Sequence, residues 1–403
     1  MVVLLSLIIA GGCTQKETET KDAEYVNALH ERLFTIDTHT DTPLNFLDES
    51  FDIGKHNDHE TTRSRVDFPR MKEGGLDAAF FAVFLGQGPV TFEGFEKAYE
   101  RSRTIFDGIN QALETNSEQA EIAMTSKDGY LLEKENKRAI YIGLENGYPI
   151  GSKINRVDTF YNLGARYITL CHTRNNQICD SSTDPDGAEH KGVSDFGEQV
   201  IKRMNTLGML IDVSHISDAA FYDVLEQSST PVMASHSCAR AVCDNPRNLS
   251  DSMLLALKEN EGVIQICILS DYLKTPPPNP ERDSAFQVVR ERFNNFRDLS
   301  AEERKRARRA WRKTDRAYPK ELATVSDIVD HIDHVVQTIG IDYVGIGTDF
   351  DGGGGVEGCK DVSEMKNITR ELVNRGYSDQ AIEKIWSGNF MRVFKEVENL
   401  KQS

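Results

Sequence analysis

Short β-branched or apolar runs alternate along the chain with stretches in which apolar residues recur at helical spacing. Eight runs have strand character, at residues 33–38, 76–84, 139–144, 166–170, 209–213, 231–235, 262–269 and 343–347. Amphipathic stretches lie between them, among them 95–113, 196–207, 219–226, 253–259 and 326–339, and 379–396 follows the last strand. Strand and helix taking turns is the signature of βα units, and eight such units predict a closed (β/α)8 TIM barrel rather than an open sheet. The rhythm breaks once, between the seventh and eighth strands. Residues 281–311 are strongly charged and helical in composition, so a helical insertion is expected there, and no second domain is indicated.

Polar residues interrupt the apolar pattern at recurring places. His39 and Asp41 close the first strand in "DTHTD", Glu145 follows the third in "IGLENG", and His172 the fourth in "ITLCHT". His215 follows the fifth in "IDVSHIS", His236 the sixth in "VMASHS", and Asp349 the eighth in "VGIGTDFDG". One His–Asp pair is explained by a satisfied hydrogen bond. Six strand ends that all carry such residues are different, because the C-terminal ends of barrel strands meet at one face. Imidazoles and carboxylates converging there match the ligand set of a divalent metal such as zinc, and a carboxylate can bridge two ions. Two ions sharing a water would activate it for hydrolysis, which makes the fold a metal-dependent hydrolase barrel.

The remaining candidates have plainer readings. His331 and His334 in "HIDH" precede a strand, away from the catalytic face, and are expected to be structural. His56 and His59 in "KHNDHE" are expected in solvent. Gly352–Gly355 lack the Lys-Ser/Thr that completes a phosphate cradle, so a flexible active-site loop is expected.

Composition narrows the partners. The 403 residues are 39% hydrophobic with a formal net charge of −17, which argues against nucleic-acid and anionic-lipid surfaces and leaves small molecules as the default substrates. The basic run "RKRARRAWRK" in the insertion is then a solvated helix face. Residues 1–10 are apolar, too short to span a bilayer, and end in small residues before Cys13. They resemble a bacterial lipoprotein signal that lacks its basic n-region, with Cys13 as the lipidated residue. The expected organisation is a signal at 1–12, a tether at 13–30 and one catalytic domain at 31–403, lipid-anchored in the bacterial cell envelope. Six cysteines remain; none forms a CxxC pair, and Cys171, Cys238 and Cys267 fall where buried free thiols are common.

The motifs, together with "NPRNLSD" and "GNFMRVF", resemble in this order the membrane (renal) dipeptidase family over about residues 34–397. The resemblance implies a barrel with two zinc ions, and cleavage of dipeptides bearing a free C-terminal carboxylate by a metal-bridging hydroxide. It implies that His39 and Asp41 bind the first zinc, His215 and His236 the second, and that Glu145 bridges them. It also implies that His172 contacts substrate, Arg247 binds the substrate carboxylate and Asp349 handles the proton. Read without the resemblance, Arg247 is a surface salt bridge. The segment after His172, "RNNQICDSSTD", and "ICILSDY" after the seventh strand depart from the animal enzymes, which leaves side-chain preference open; a homodimer is compatible with the family. Two rivals remain. Amidohydrolases on this barrel open with HxH and bridge through a carbamylated lysine, where this chain has "HTD" and Glu145. A lipid-anchored peptide-binding protein would not need every metal position, and all are present.

Overall fold

Nine strands form one parallel sheet in the computed structural model, which describes residues 23–48, 51–296 and 299–401. They are β1 Ile36–Thr40, β2 Ala78–Phe84, β3 Ala120–Ile122, β4 Arg138–Glu145, β5 Ala165–Thr169, β6 Leu210–Asp212, β7 Met233–Ser237, β8 Val263–Ile266 and β9 Val344–Ile346. Eight run in the order β1-β2-β4-β5-β6-β7-β8-β9, and they coincide with the eight strands expected from the sequence. The ninth, β3, was not foreseen. Its three residues pair with the first half of β4, Arg138 to Ile140, while β5 pairs with the second half.

The barrel closes between β9 and β1. Asp349 N–H donates to the His39 carbonyl at 3.0 Å, and Asp41 N–H to the Phe350 carbonyl at 2.8 Å. Buried Asp37 reinforces the seam, accepting from Thr348 N–H at 2.8 Å and Thr348 Oγ1 at 2.5 Å. The fold is a (β/α)8 TIM barrel.

Period-two alternation divides the core in two. Along β4, Ile140, Ile142 and Leu144 face the surrounding helices, whereas Ala139 and Tyr141 join Phe80, Tyr167, Leu210, Met233 and Val263 inside the barrel. The covering helices are α1 Phe68–Gly74, α2 Phe92–Thr115, α3 Ser126–Lys134, α4 Asn155–Asn162, α5 Asp195–Leu207, α6 Asp218–Gln227 and α7 Asp251–Glu259. The insertion supplies α8 Pro280–Arg292 and α9 Ala301–Ala317, followed by α10 Val325–Ile339, α11 Lys366–Asn374 and α12 Asn389–Asn399. Serine side chains start several of them: Ser194, Ser217 and Ser250 accept from the amides of Gly197, Ala220 and Met253, satisfying one orphan donor in each first turn. Phe390 and Phe394 of α12 plug one end of the barrel against Phe80.

Two expectations need correcting. Residues 23–30, assigned to the tether, are helical, and Val26, Leu29 and His30 are buried on the barrel because apolar residues three and four apart share a helix face. Gly352–Gly355 form a tight turn rather than a free loop: the amides of Gly352, Gly353 and Gly354 all donate to the Asp349 carbonyl, at 3.2, 3.0 and 2.7 Å. The lipidation expected at Cys13 lies outside the described residues. The six later cysteines are free and buried.

Candidate metal centre

Each predicted histidine and acidic residue of the cluster sits where its strand ends. His39 and His236 belong to β1 and β7, Glu145 is the last residue of β4, and Asp41, His172, His215 and Asp349 lie just past β1, β5, β6 and β9. Several of these ends are sharply turned. His215 and Asp349 adopt left-handed backbone at φ 73° and 59°, as do neighbouring Asn146 and Asp351 at φ 75° and 68°. Non-glycine residues reach that region at a cost of roughly 1–3 kcal/mol each, and such costs concentrate at functional sites.

The side chains meet around Glu145. Its Oε1 lies 3.1 Å from His215 Nε2, 3.5 Å from His236 Nε2 and 3.5 Å from His172 Nε2; its Oε2 lies 3.5 Å from His39 Nε2. Three triplets hold ligand atoms within 4.8 Å of one another: His39–Glu145–His236, Glu145–His172–His215 and His39–Asp41–Asp349. Glu145 and His39 each belong to two. His172 and Asp349 therefore stand in the same cluster as the five expected ligands.

The donor set fits a divalent cation. His39 Nε2, Asp41 Oδ1 and Glu145 Oε2 are buried without a hydrogen-bond partner, a costly state for polar atoms that an ion would relieve. The electrostatics agree. Burial opposes protonation of His39, yet the carboxylates of Glu145, Asp41 and Asp349 outweigh it and push its pKa up to about 10. Burial, and then the charge of Glu145, drives Asp41 well up. Burial raises Asp349 to about 7, with Glu145 adding to the rise and His39 and Arg247 opposing it. His215 and His236 are held well down by burial, with Arg247 adding to the effect. This density of negative charge calls for a cation in place of protons.

Residues not singled out from sequence orient the ligands. Ser235 Oγ lies 2.7 Å from His236 Nδ1 and donates to Asp212 Oδ2 at 2.6 Å, so its lone pair accepts from His236 Nδ1–H and His236 Nε2 is left facing Glu145. Asp212 is fixed in turn by Thr169 Oγ1 and by the amides of Ser214 and Ser235. Tyr167 Oη stands 2.8 Å from His39 Nδ1 and plays the same part on the other side. The available signal was a polar residue inside an apolar strand one to three positions before a ligand: Ser235 before His236, Asp212 before His215. Tyr167 carries no such mark.

Arg247 is buried at 4% exposure rather than on the surface, so its reading as a surface salt bridge is corrected. Its Nη2 donates to the His236 carbonyl at 3.0 Å, its guanidinium lies 5.2 Å from the Tyr272 ring, and its Nε has no partner. The Gly352 turn presses on the same site; a Cβ there would stand 2.2 Å from both Asp349 Oδ1 and Asp41 Oδ2. The other histidines lie apart. His331 accepts from Ala239 N–H at 3.0 Å and donates to the Leu273 carbonyl at 2.9 Å, and His334 pairs with Asp251, so both are structural. His56 is exposed, while His59 is half-buried beside the Ser64 carbonyl.

Residues 23–403 match the profile of the membrane dipeptidase family, peptidase family M19. The chain belongs to that family. A dipeptidase of Claviceps purpurea, tcpJ, is 31% identical over 84% of this chain and 70% of its own length. Dipeptidase 3 of Rattus norvegicus is 30% identical over 91% of this chain, which spans 66% of the rat protein. Among solved structures, the probable dipeptidase PvdM of Pseudomonas aeruginosa superposes with a TM-score of 0.83 at 30% identity, covering 94% of this chain and 99% of that one. Membrane dipeptidase membership and the cluster around Glu145 together make this the candidate centre of a metallopeptidase.

Proposed function

We propose that the protein hydrolyses dipeptides that carry a free C-terminal carboxylate, with two zinc ions held in the cluster around Glu145. The observation that carries this reading is the meeting of orphaned ligand atoms on His39, Asp41 and Glu145 with the His215 and His236 rings, beside a buried guanidinium whose Nε has no partner. His39 and Asp41 would hold one ion, His215 and His236 the other, and Glu145 both, since each of its oxygens faces a different histidine set. Nitrogen and carboxylate donors suit zinc. When bound, two such ions lower the pKa of a shared water and polarise a carbonyl.

The chain's own residues do the rest. A planar guanidinium matches a carboxylate bidentately, and Arg247 makes no ion pair with a described residue, so the substrate terminus supplies its counter-charge. Asp349, next to His39 and Asp41, takes the water proton and returns it to the leaving nitrogen. His172, ring to ring with Phe84 at 4.7 Å, contacts the substrate from the rim. We also propose envelope attachment through a lipid on Cys13, supported by the sequence of residues 1–13; among the described residues no helix is long and apolar enough to cross a membrane.

The test is a panel of free and C-terminally amidated dipeptides, assayed alongside elemental analysis of the protein. Wild type should contain two zincs and cleave only free dipeptides. Arg247→Ala should lose most of kcat/KM on free dipeptides and discriminate much less against amides, because unpairing a buried charge costs roughly 2–5 kcal/mol. Equal cleavage of both substrates by wild type would reject the role of Arg247, and no hydrolysis by the zinc-loaded protein would reject the function.

A further inference from the structure

The insertion between β8 and β9 separates its charge. Helix α9 carries eight Lys and Arg against three Asp and Glu in a chain whose net charge is −17. At about 100° per residue, Lys305, Arg308, Arg309, Arg312, Lys313 and Arg316 fall on one side of the helix. The opposite side packs buried Ala307 and half-buried Trp311 against Phe286, Val289 and Phe293 of α8 and the segment after it. Many basic side chains elsewhere in the fold are matched: Arg70 by Asp67 and Asp361, Arg156 by Glu96, Arg375 by Asp330 and Asp333. Arg308 and Arg312 are exposed and form no ion pair with a described residue.

A groove of about 570 Å³ runs beside these two arginines. Phe296, Leu299 and Trp311 line it as an apolar slot, and Arg63, Arg308 and Arg312 stand at its edge. Phe296 remains 42% exposed although it packs edge-on against Trp311 at 5.5 Å. Arg63 follows β1 and the insertion follows β8. The groove therefore lies on the rim of the catalytic face, across the end of β9 that carries Asp349.

We infer that this rim is a docking surface for an anionic phospholipid bilayer, with Arg308 and Arg312 on headgroup phosphates and the Phe296–Trp311 slot taking the first apolar segment below them. Charge complementarity selects the partner: in a chain of net charge −17, this helix concentrates eight basic residues, so anionic lipid is drawn to its face and the molecule is held with the mouth of the barrel beside the membrane. The apolar slot favours a bilayer over a nucleic acid, which would need only the charges and a stacking ring. Averaged over the chain, net charge argues against such a surface; resolved by element, it does not. The inference rests on neither the dipeptidase reading nor the anchor at Cys13.

The test uses the full chain as Cys13→Ser, so that no lipid anchor contributes, mixed with vesicles of phosphatidylcholine alone or with phosphatidylglycerol added. Sedimentation with anionic vesicles only is expected, with release at about 1 M salt, where the screening length falls to roughly 3 Å. A basic residue near an anionic surface contributes about 5-fold in partitioning, so Arg308→Ala with Arg312→Ala should weaken binding about 30-fold at unchanged Tm and dipeptidase kcat. Phe296→Ser should weaken the binding that survives moderate salt. Equal binding to neutral vesicles, an unchanged double variant, or displacement by free glycerol phosphate or RNA at equal phosphate concentration would overturn it.

Discussion

At the scale of single residues, the site depends on hydrogen bonds that set which ring nitrogen faces the cluster. His236 has one productive tautomer, and Ser235 fixes it, because the serine proton is committed to Asp212 and only the oxygen lone pair is left for Nδ1–H. Ser235→Ala removes the acceptor, frees the proton to move to Nε2, and should lower metal affinity about 10–100-fold. Ser235→Thr keeps the hydroxyl and should restore most of it. Competition between apo-protein and a chromophoric chelator measures both. Equal affinity of the alanine and wild-type proteins would show that the tautomer is set elsewhere. The five expected ligands meet in the structure because barrel strand ends converge wherever they lie in the chain, which is what made the cluster legible in the sequence. Ser235, Asp212 and Tyr167 could not be assigned, since their roles depend on which neighbouring strand each one faces.

At the scale of elements, the strands were legible for a simple reason: those buried on both faces are short, continuous apolar runs, and β2 reads Ala-Ala-Phe-Phe-Ala-Val-Phe. Strand β3 has one fully buried residue in three and lacked that signal. The helix at 23–30 was missed because its apolar face spans barely two turns, Val26 and Leu29. Its last residue anchors it. His30 Nε2–H donates to the Gly74 carbonyl at 2.9 Å, and Nδ1 accepts from Thr369 Oγ1 at 2.7 Å, which in turn accepts from Trp386 Nε1 at 2.8 Å. Every member is satisfied with the imidazole neutral. Burial lowers the His30 pKa to about 4, with Lys366 opposing its charge further and the Gly74 bond acting the other way. Because the folded value lies below the unfolded one near 6.5, the unfolded chain takes up the proton first as pH falls. The contribution is complete above about 6.5 and is lost as pH drops to about 4, to an extent of about 3 kcal/mol. Denaturant titrations at pH 7 and 4.5 should show wild type losing more stability than His30→Gln by a large part of that amount. Parallel pH dependences would place the titration at another group.

At the scale of the whole molecule, the barrel interior and the metal centre are one packed object, and Gly143 joins them. In β4 the alternation that turns Glu145 into the mouth also turns Gly143 inward two residues below it, toward β5. A Cβ at Gly143 would stand 2.0 Å from the Tyr167 ring, so the absence of a side chain is what lets that ring cross the barrel and reach His39. The ring has little room to retreat, since Phe80 packs against it at 5.2 Å and Phe80 itself is held by Tyr141, Phe390 and Phe394. Gly143→Ala should therefore act twice. Overpacking should cost about 1–3 kcal/mol of stability, seen as a lower Tm of the apo-protein. Displacing Tyr167 should release His39 Nδ1 and lower metal affinity, although the substitution touches no ligand. Tyr167→Phe separates the two effects, because it removes the hydroxyl without the clash and should reduce affinity with a smaller loss of Tm. Combined, the two substitutions should cost less affinity than the sum of the single losses, since both act through one hydrogen bond. Additive losses in that cycle would mean that Gly143 shapes the barrel without setting the ligand, and the coupling between interior packing and metal binding would have to run through another contact.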